Sequence, residues 1–229
     1  MNVSKFFKKF LDISYQRYQK IKIERRFPFL HNSSQKFKEM TASIKPQYEE
    51  YIREVFTPDM AVSLRTAVFL RVFCEGLKPK RILDLGSGFS SFVLRTYAAT
   101  QNDVVVCSID DSPEWLDRTR IYLASHNLST ERLILWSQFE QYSFDRFDFI
   151  LYDLGNMNLR KDSLHLVLKI GEEKGVILLD DMHKASYEQY VHNCLKHYSY
   201  CYFDLKLYTL DEFGRYCGLI SDIHKNSNK

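Results

Sequence analysis

The chain has 229 residues, 27% of them charged and 45% hydrophobic, with a formal net charge of +3 at neutral pH. That balance fits one globular domain with a full core and excludes a low-complexity or disordered chain. There is no run of 18 apolar residues and no uninterrupted apolar h-region near the N-terminus, so neither a membrane span nor a secretory signal is expected. Cys74, Cys107, Cys194, Cys201 and Cys217 form no CxxC pair and read as reduced core thiols of a cytoplasmic protein.

Charge is unevenly spread. Residues 1–38 carry ten Lys and Arg against Asp12 and Glu24, a net +8 that leaves −5 for the remainder. Phe7, Phe10, Leu11, Ser14, Tyr15, Tyr18 and Ile21 follow i, i+3, i+4 spacing, which predicts an amphipathic helix with a basic outer face. The aromatic stripe favours a cap docked on the main domain; attachment to an anionic membrane surface or to nucleic acid is the alternative. The polar stretch "HNSSQKFKEMTASIKP" is expected to be a linker or lid-like loop. Residues 1–58 then form a basic helical extension and residues 59–229 the main domain. "YEEYIREVF" and "DMAVSLRTAVFLRVFCEGL" read as two helices, the second ending near Gly76 with Pro79 just beyond.

From Arg81 the pattern changes. "RILDL", "DVVVCSID", "RLILW", "FDFILYD" and "GVILLD" are strand candidates, separated by the helical stretches "FVLRTYAAT", "SPEWLDRTRIYLASHN", "FEQYSF" and "LRKDSLHLVLKIG". Such alternation predicts an α/β fold, a mostly parallel sheet with helices on both faces. A last helix, "KASYEQYVHNCLKHY", precedes "YCYFDLKLY" and "RYCGLISDI", two strands of a closing hairpin joined by "TLDEFG".

The first strand runs into Gly86 and Gly88, where an open α/β sheet binds its ligands. Glycine lets the backbone turn sharply and a ligand approach the main chain. A nicotinamide fingerprint would need a third glycine at the sixth position, where Ser91 stands. Asp84, two residues before the first glycine, is ill suited to a pyrophosphate and argues for a ligand with positive charge.

An acid, any residue, glycine, any residue, glycine is the first motif of the class I S-adenosylmethionine-dependent methyltransferases, and Asp84, Gly86 and Gly88 resemble it. Ser90 stands where that family often has a third glycine. The resemblance covers roughly residues 59–223 and implies a Rossmann-like, seven-stranded domain binding S-adenosylmethionine, with an antiparallel final strand. It implies that Asp84 faces the methionine ammonium directly or through water, and that Gly86, Ser87, Gly88 and Ser90 form the cofactor turn. Asp110, with Asp111 as second choice, would bind the ribose hydroxyls at the end of the second strand; one of the two acids is expected only to cap the following helix. Gln138 and Phe139 fall where the family contacts adenine.

Asp153 closes the fourth strand; Asp180 and Asp181, followed by His183, close the fifth. Three carboxylates at one edge repel each other unless protonated or bridged by a cation, and a hard ion suits oxygen ligands. The constellation is similar to that of metal-dependent catechol-type O-methyltransferases, which implies Mg²⁺ or Mn²⁺ on Asp153, Asp180 and Asp181. Asp181 replaces that family's asparagine, and "LGNMNLR" stands where its lysine would follow, so the catechol substrate does not carry over. Asp153 and His183 are the candidate catalytic pair, His183 as general base because an unperturbed imidazole titrates near neutrality.

The expected acceptor is a hydroxyl of a small molecule or glycan. Nucleic acid is disfavoured because the catalytic half is acidic and the basic charge sits in one terminal segment. Tyr187, Tyr190, Tyr198, Tyr200 and Tyr202 are candidates for an aromatic wall, with half-buried packing as the competing reading. A second copy of the chain is a further candidate partner. Two other classes stay open on these residues: a nicotinamide-dependent oxidoreductase, and a non-catalytic nucleotide-binding module on an anionic surface.

Overall fold

In the computed structural model, which describes residues 3–139, 146–171 and 175–222, with side chains from residue 12 onward, three helices precede the sheet: α1 (Val3–Arg26), α2 (Ser34–Glu54) and α3 (Leu64–Leu77). There follow β1 (Arg81–Leu85), α4 (Phe89–Ala99), β2 (Val105–Asp110), α5 (Pro113–Ser125), β3 (Leu133–Leu135), α6 (Trp136–Phe139), β4 (Phe149–Tyr152), α7 (Met157–Gly171), β5 (Val176–Leu179) and α8 (Ala185–Leu195). The chain closes with β6 (Tyr200–Asp204), α9 (Lys206–Thr209) and β7 (Gly218–Asp222). The seven strands form one sheet in the order β3-β2-β1-β4-β5-β7-β6, in which β7 alone runs antiparallel to its neighbours. Between β1 and β4 the strand order reverses, and that switch point is where such a sheet opens a ligand crevice.

Successive strand residues face opposite layers. Ile82, Leu151, Val176 and Leu178 pack into one apolar cluster with Phe69, Phe73 and Phe89. Leu83, Ile150, Ile177 and Leu179 pack into the other with Leu164, Tyr187 and Val191. β4 and β5 are buried at every position, which explains why they read as unbroken apolar runs.

The N-terminal segment has no core of its own. Ile23, Phe27, Leu30, Ile44, Tyr48 and Tyr51 are buried in the cluster that holds α3 and α4, so packing does not divide the molecule at residue 58. α1 also protects the outer strand: Lys22 Nζ donates to the Tyr202 carbonyl (2.6 Å), and Gln19 Oε1 accepts from the Asp204 amide (3.2 Å). Unpaired groups of an edge strand would otherwise offer a template for association. Arg26 adds bonds to Ser221 Oγ (3.1 Å) and the Asp222 carbonyl (2.9 Å). Tyr15, Tyr18 and Ile21 stay exposed, whereas the side chains of Phe7, Phe10 and Leu11 lie outside the described residues. No helix among the described residues is long and apolar enough to cross a membrane.

The expected linker is helical. Most of the stretch from His31 to Pro46 belongs to α2, which runs on through "YEEYIRE". Phe37, Met40, Ile44, Tyr48 and Tyr51 recur at helical spacing beneath the polar composition and pack into the core. α3 starts only at Leu64, where Ser63 Oγ accepts from the Thr66 amide (3.1 Å). "RLILW" gives up Trp136 to α6, and "YCYFDLKLY" leaves strand geometry after Asp204, whose Oδ1 accepts from the Lys206 amide (2.7 Å) at the start of α9. Most of the expected "FEQYSF" helix, from Glu140 onward, falls outside the described residues.

Candidate active site

β1 leaves the sheet through Gly86, Ser87 and Gly88 into α4. At Gly86 φ is +105°, and a Cβ would stand 2.5 Å from the Asp153 carbonyl oxygen, so both backbone angle and space demand glycine. The turn is tied to the end of β2. Ser87 donates to Asp110 Oδ2 through its amide (2.8 Å) and its hydroxyl (2.9 Å), while Oδ1 accepts from the Ser112 amide (3.0 Å). Burial pushes the Asp110 carboxyl up, against the pull of these hydrogen bonds. A carboxylate has about four acceptor positions, so Asp110 keeps one for a ligand. Asp111 makes no hydrogen bond among the described residues, and the same cavity is lined by both acids.

Asp84 is not open to that cavity. It is fully buried and accepts from Ser90 Oγ (2.9 Å), Ser91 Oγ (2.5 Å) and Ser108 Oγ (2.7 Å). Behind Ser108 stands Arg95, itself 4% exposed, whose guanidinium donates to that hydroxyl (2.6 Å) and to the Glu131 carbonyl (3.0 Å). A buried positive charge thus stands one hydroxyl away from Asp84 within the chain. Asp84 anchors the start of α4 to β1 and β2; Ser90, which also lines the cavity, is one of its donors.

The cavity lies beyond the carboxyl ends of β1, β2, β4 and β5 and measures about 610 Å³, within the range of small-molecule sites. The glycine turn, Asp110 and Asp111 form one side, and Asp153, Asp180, Asp181 and His183 form another. Tyr51 and Phe56 from the N-terminal segment, Met60 from the stretch before α3, and Trp115 from α5 close over it. Phe56 and Trp115 meet edge to face with ring centroids 4.2 Å apart. Arg215 secures this cover: it pairs with Asp211 Oδ2 (2.6 Å) and donates to the carbonyls of Pro58 (3.0 Å), Asp59 (2.7 Å) and Ala61 (3.1 Å).

No protein-family model matches the chain, and no curated protein matches it in sequence. Solved structures match it in shape. The O-methyltransferase TomG from Streptomyces achromogenes, involved in tomaymycin synthesis and solved with S-adenosylmethionine, aligns with a TM-score of 0.59 at 16% identity, over 76% of this chain and 86% of that one. The O-methyltransferase from Bacillus cereus, in complex with S-adenosylhomocysteine, aligns with a TM-score of 0.58 at 15% identity, over 82% and 89%. The Podospora anserina methyltransferase PaMTH1, also bound to S-adenosylhomocysteine, aligns with a TM-score of 0.58 at 16% identity, over 76% and 85%. The chain has the class I methyltransferase fold.

On this fold the strand-end acids do come together, but with a cation already between them. Arg160 reaches back from the first turn of α7 and places one terminal nitrogen 2.7 Å from Asp153 Oδ1 and the other 2.9 Å from Asp181 Oδ2. Lys184 Nζ lies 2.7 Å from the same Asp181 oxygen. Asp180 Oδ1 accepts from the Asp181 amide (2.7 Å) and the Cys217 thiol (3.3 Å). Burial and the neighbouring Asp181 charge push Asp180 up, while at Asp181 the Lys184 hydrogen bond and the Arg160 charge outweigh burial and hold the carboxyl down. The expected Mg²⁺ or Mn²⁺ site on Asp153, Asp180 and Asp181 does not fit this donor set, because one oxygen of each carboxylate is already engaged, by a guanidinium, an ammonium or an amide, and the buried guanidinium stands between Asp153 and Asp181. Among the described residues no cluster of three His, Cys, Asp or Glu side chains is arranged to hold an ion.

His183 lines the cavity, and its Nδ1 is buried, 3.5 Å from Asp181 Oδ1, without a hydrogen-bond partner. The adenine contacts fall elsewhere: Phe139 is buried against Trp136 in the core and Gln138 is solvent-exposed, and neither lines the cavity. The five tyrosines of the expected wall also miss it; Tyr187 and Tyr200 are packing residues beneath α8 and β6. The aromatic pair Phe56 and Trp115, which lines the cavity beside Tyr51 and Phe89, gave no signal in sequence because it joins residues 59 positions apart. Arg160 did leave one: it is the last residue of "LGNMNLR", where a cationic side chain follows the fourth-strand acid.

Proposed function

We propose that the chain is an S-adenosylmethionine-dependent methyltransferase acting on a hydroxyl of a small molecule or glycan. The observation that carries this reading is the single cavity in which the glycine turn and the β2 acids face Asp153 and His183. Asp110 and Asp111 suit the ribose hydroxyls, and the exposed backbone of Gly86 and Gly88 allows close approach. Bound S-adenosylmethionine supplies an electrophilic methyl on a sulfonium, which leaves the protein to align an acceptor and take its proton. His183 lines the cavity and offers its other ring nitrogen, Nε2, for that proton, while the buried Nδ1 faces Asp181 Oδ1 (3.5 Å), the carboxylate that stabilises the imidazolium that results. The cover formed by Tyr51, Phe56, Met60 and Trp115 excludes water and gives the acceptor an apolar and aromatic surface.

An acidic lining also favours this assignment over dinucleotide chemistry, since six aspartates outnumber Arg160, Lys184 and Arg215 around the cavity. A pyrophosphate would meet repulsion there, whereas a sulfonium and an ammonium would not. The test is transfer of labelled methyl from S-adenosylmethionine to a panel of phenols, alcohols and glycans beside matched amines and carboxylic acids. Label in an alkali-stable ether is expected. Label confined to amines or to alkali-labile esters would overturn the assignment to oxygen.

A further inference from the structure

We propose that Arg160 is the resident cation of the acceptor site, standing between the acids of β4 and β5 where those acids would otherwise call for a divalent ion. The proposal rests on the methyltransferase reading of the cavity and deepens it: Arg160 is a positioning residue that fixes Asp153 at the cavity wall. Its guanidinium is buried, with 4% of the side chain exposed, and it is held in every direction. Nε donates to the Leu154 carbonyl (3.2 Å), one terminal nitrogen to Asp181 Oδ2 (2.9 Å), and the other to the carbonyls of Asp153 and Gly155 (both 3.1 Å) as well as lying 2.7 Å from Asp153 Oδ1.

The geometry follows from where Arg160 sits in sequence. The chain leaves β4 through Asp153 and turns at Gly155, and Asn156 Oδ1 starts α7 by accepting from the amides of Asn158 (2.9 Å) and Leu159 (3.1 Å). A side chain in the first turn of that helix points back over the strand end it came from. Arginine suits the place because its planar fork can bind two carboxylates and several carbonyls at once and its charge does not titrate in the working range. An ion entering here would have to displace the guanidinium, orphan three backbone carbonyls, and meet the Lys184 ammonium on the same Asp181 oxygen.

The experiment is a Mn²⁺ titration of the full chain followed by electron paramagnetic resonance, with and without S-adenosylhomocysteine, on the wild type and on Asp153→Asn, Arg160→Met and Arg160→Lys. The wild type is expected to show no saturable site up to on the order of 1 mM Mn²⁺. Arg160→Met frees Asp153 Oδ1 and leaves Asp181 Oδ2 to Lys184 alone, and is expected to gain a site at least about tenfold tighter than any wild-type binding. Adding Asp153→Asn should remove that site, and Arg160→Lys should keep the ion out. Saturable wild-type binding that Asp153→Asn abolishes would overturn the proposal; so would a folded Arg160→Met protein that gains no site. Should Arg160→Met fail to fold, the comparison of wild type with Asp153→Asn decides alone. Calorimetry with S-adenosylhomocysteine on the same samples separates the two readings: loss of that binding would sink the methyltransferase assignment, while the Mn²⁺ result on the ligand-free protein still judges Arg160.

Discussion

Replacing Asp84 by alanine takes the acceptor away from three buried hydroxyls, Ser90, Ser91 and Ser108, and leaves Arg95 without its nearest countercharge. The carboxylate itself is not a source of stability at neutral pH. Burial pushes its pKa up, against the pull of the serines and Arg95, so the folded state takes up protons and stability from this group falls as pH rises through that raised value. The cost of Asp84→Ala comes from what it leaves behind. Removing one partner of a buried charge pair costs about 3–5 kcal/mol, which in a chain of this size lowers the melting temperature by roughly 6–20 °C. Asp84→Asn keeps one acceptor and the shape, and should lose only about 1–3 kcal/mol. Denaturant unfolding of Asp84→Ala, Arg95→Met and the double variant checks the mechanism, since the double should cost less than the sum of the singles. A melting temperature unchanged in Asp84→Ala, together with lost affinity for S-adenosylhomocysteine, would refute the internal role and return Asp84 to the ligand.

Other outcomes follow from particular contacts. Gly86→Ala adds a methyl against the Asp153 carbonyl at a φ of +105° and should cost about 2 kcal/mol or more in thermal unfolding, with S-adenosylhomocysteine binding impaired. Asp111→Asn should weaken S-adenosylhomocysteine by about tenfold in calorimetry while stability stays within about 0.5 kcal/mol; Asp110→Asn should also loosen the fold, because it holds Ser87 and Ser112. Glu75 links Lys36 of α2 (3.1 Å) to Arg71 of α3 (2.9 Å); burial alone would raise its carboxyl, but these partners hold it below its usual range. A depressed carboxyl adds stability above its unfolded pKa, so the penalty of Glu75→Gln in urea unfolding should be full at pH 7, begin to shrink as pH falls past the unfolded value of about 4.3, and disappear only below the depressed folded value. Deleting residues 1–26 removes Gln19, Lys22 and Arg26 from the β6–β7 edge, and light scattering should show self-association.

The parallel sheet was readable because β1, β2, β4 and β5 are short apolar runs bounded by turn residues, and no tertiary contact overrides that pattern. α2 was not, since Ser33, Ser34, Lys36, Lys38, Glu39 and Pro46 give a loop composition, and only the spacing of Phe37, Ile44, Tyr48 and Tyr51 betrays the buried face. The site divides in the same way. The glycines and strand-end acids could be placed because a parallel strand fixes where its carboxyl end lies. The partners of those acids could not, since Ser108 reaches Asp84 from β2 and Arg95, on α4, stands behind that hydroxyl. Strand ends alone point Asp84 and Asp153 to external cations, a ligand ammonium and a metal; the fold adds Arg95 behind Ser108 and Arg160 between Asp153 and Asp181.

The most direct measurement is calorimetric titration of purified, nucleotide-free protein with S-adenosylhomocysteine and, separately, with a nicotinamide dinucleotide, each with EDTA and with added Mg²⁺. One micromolar-range site for S-adenosylhomocysteine, indifferent to Mg²⁺, with no heat from the dinucleotide, is the predicted result. Binding of the dinucleotide in its place, or of neither ligand, would contradict the assignment of this cavity to methyl transfer.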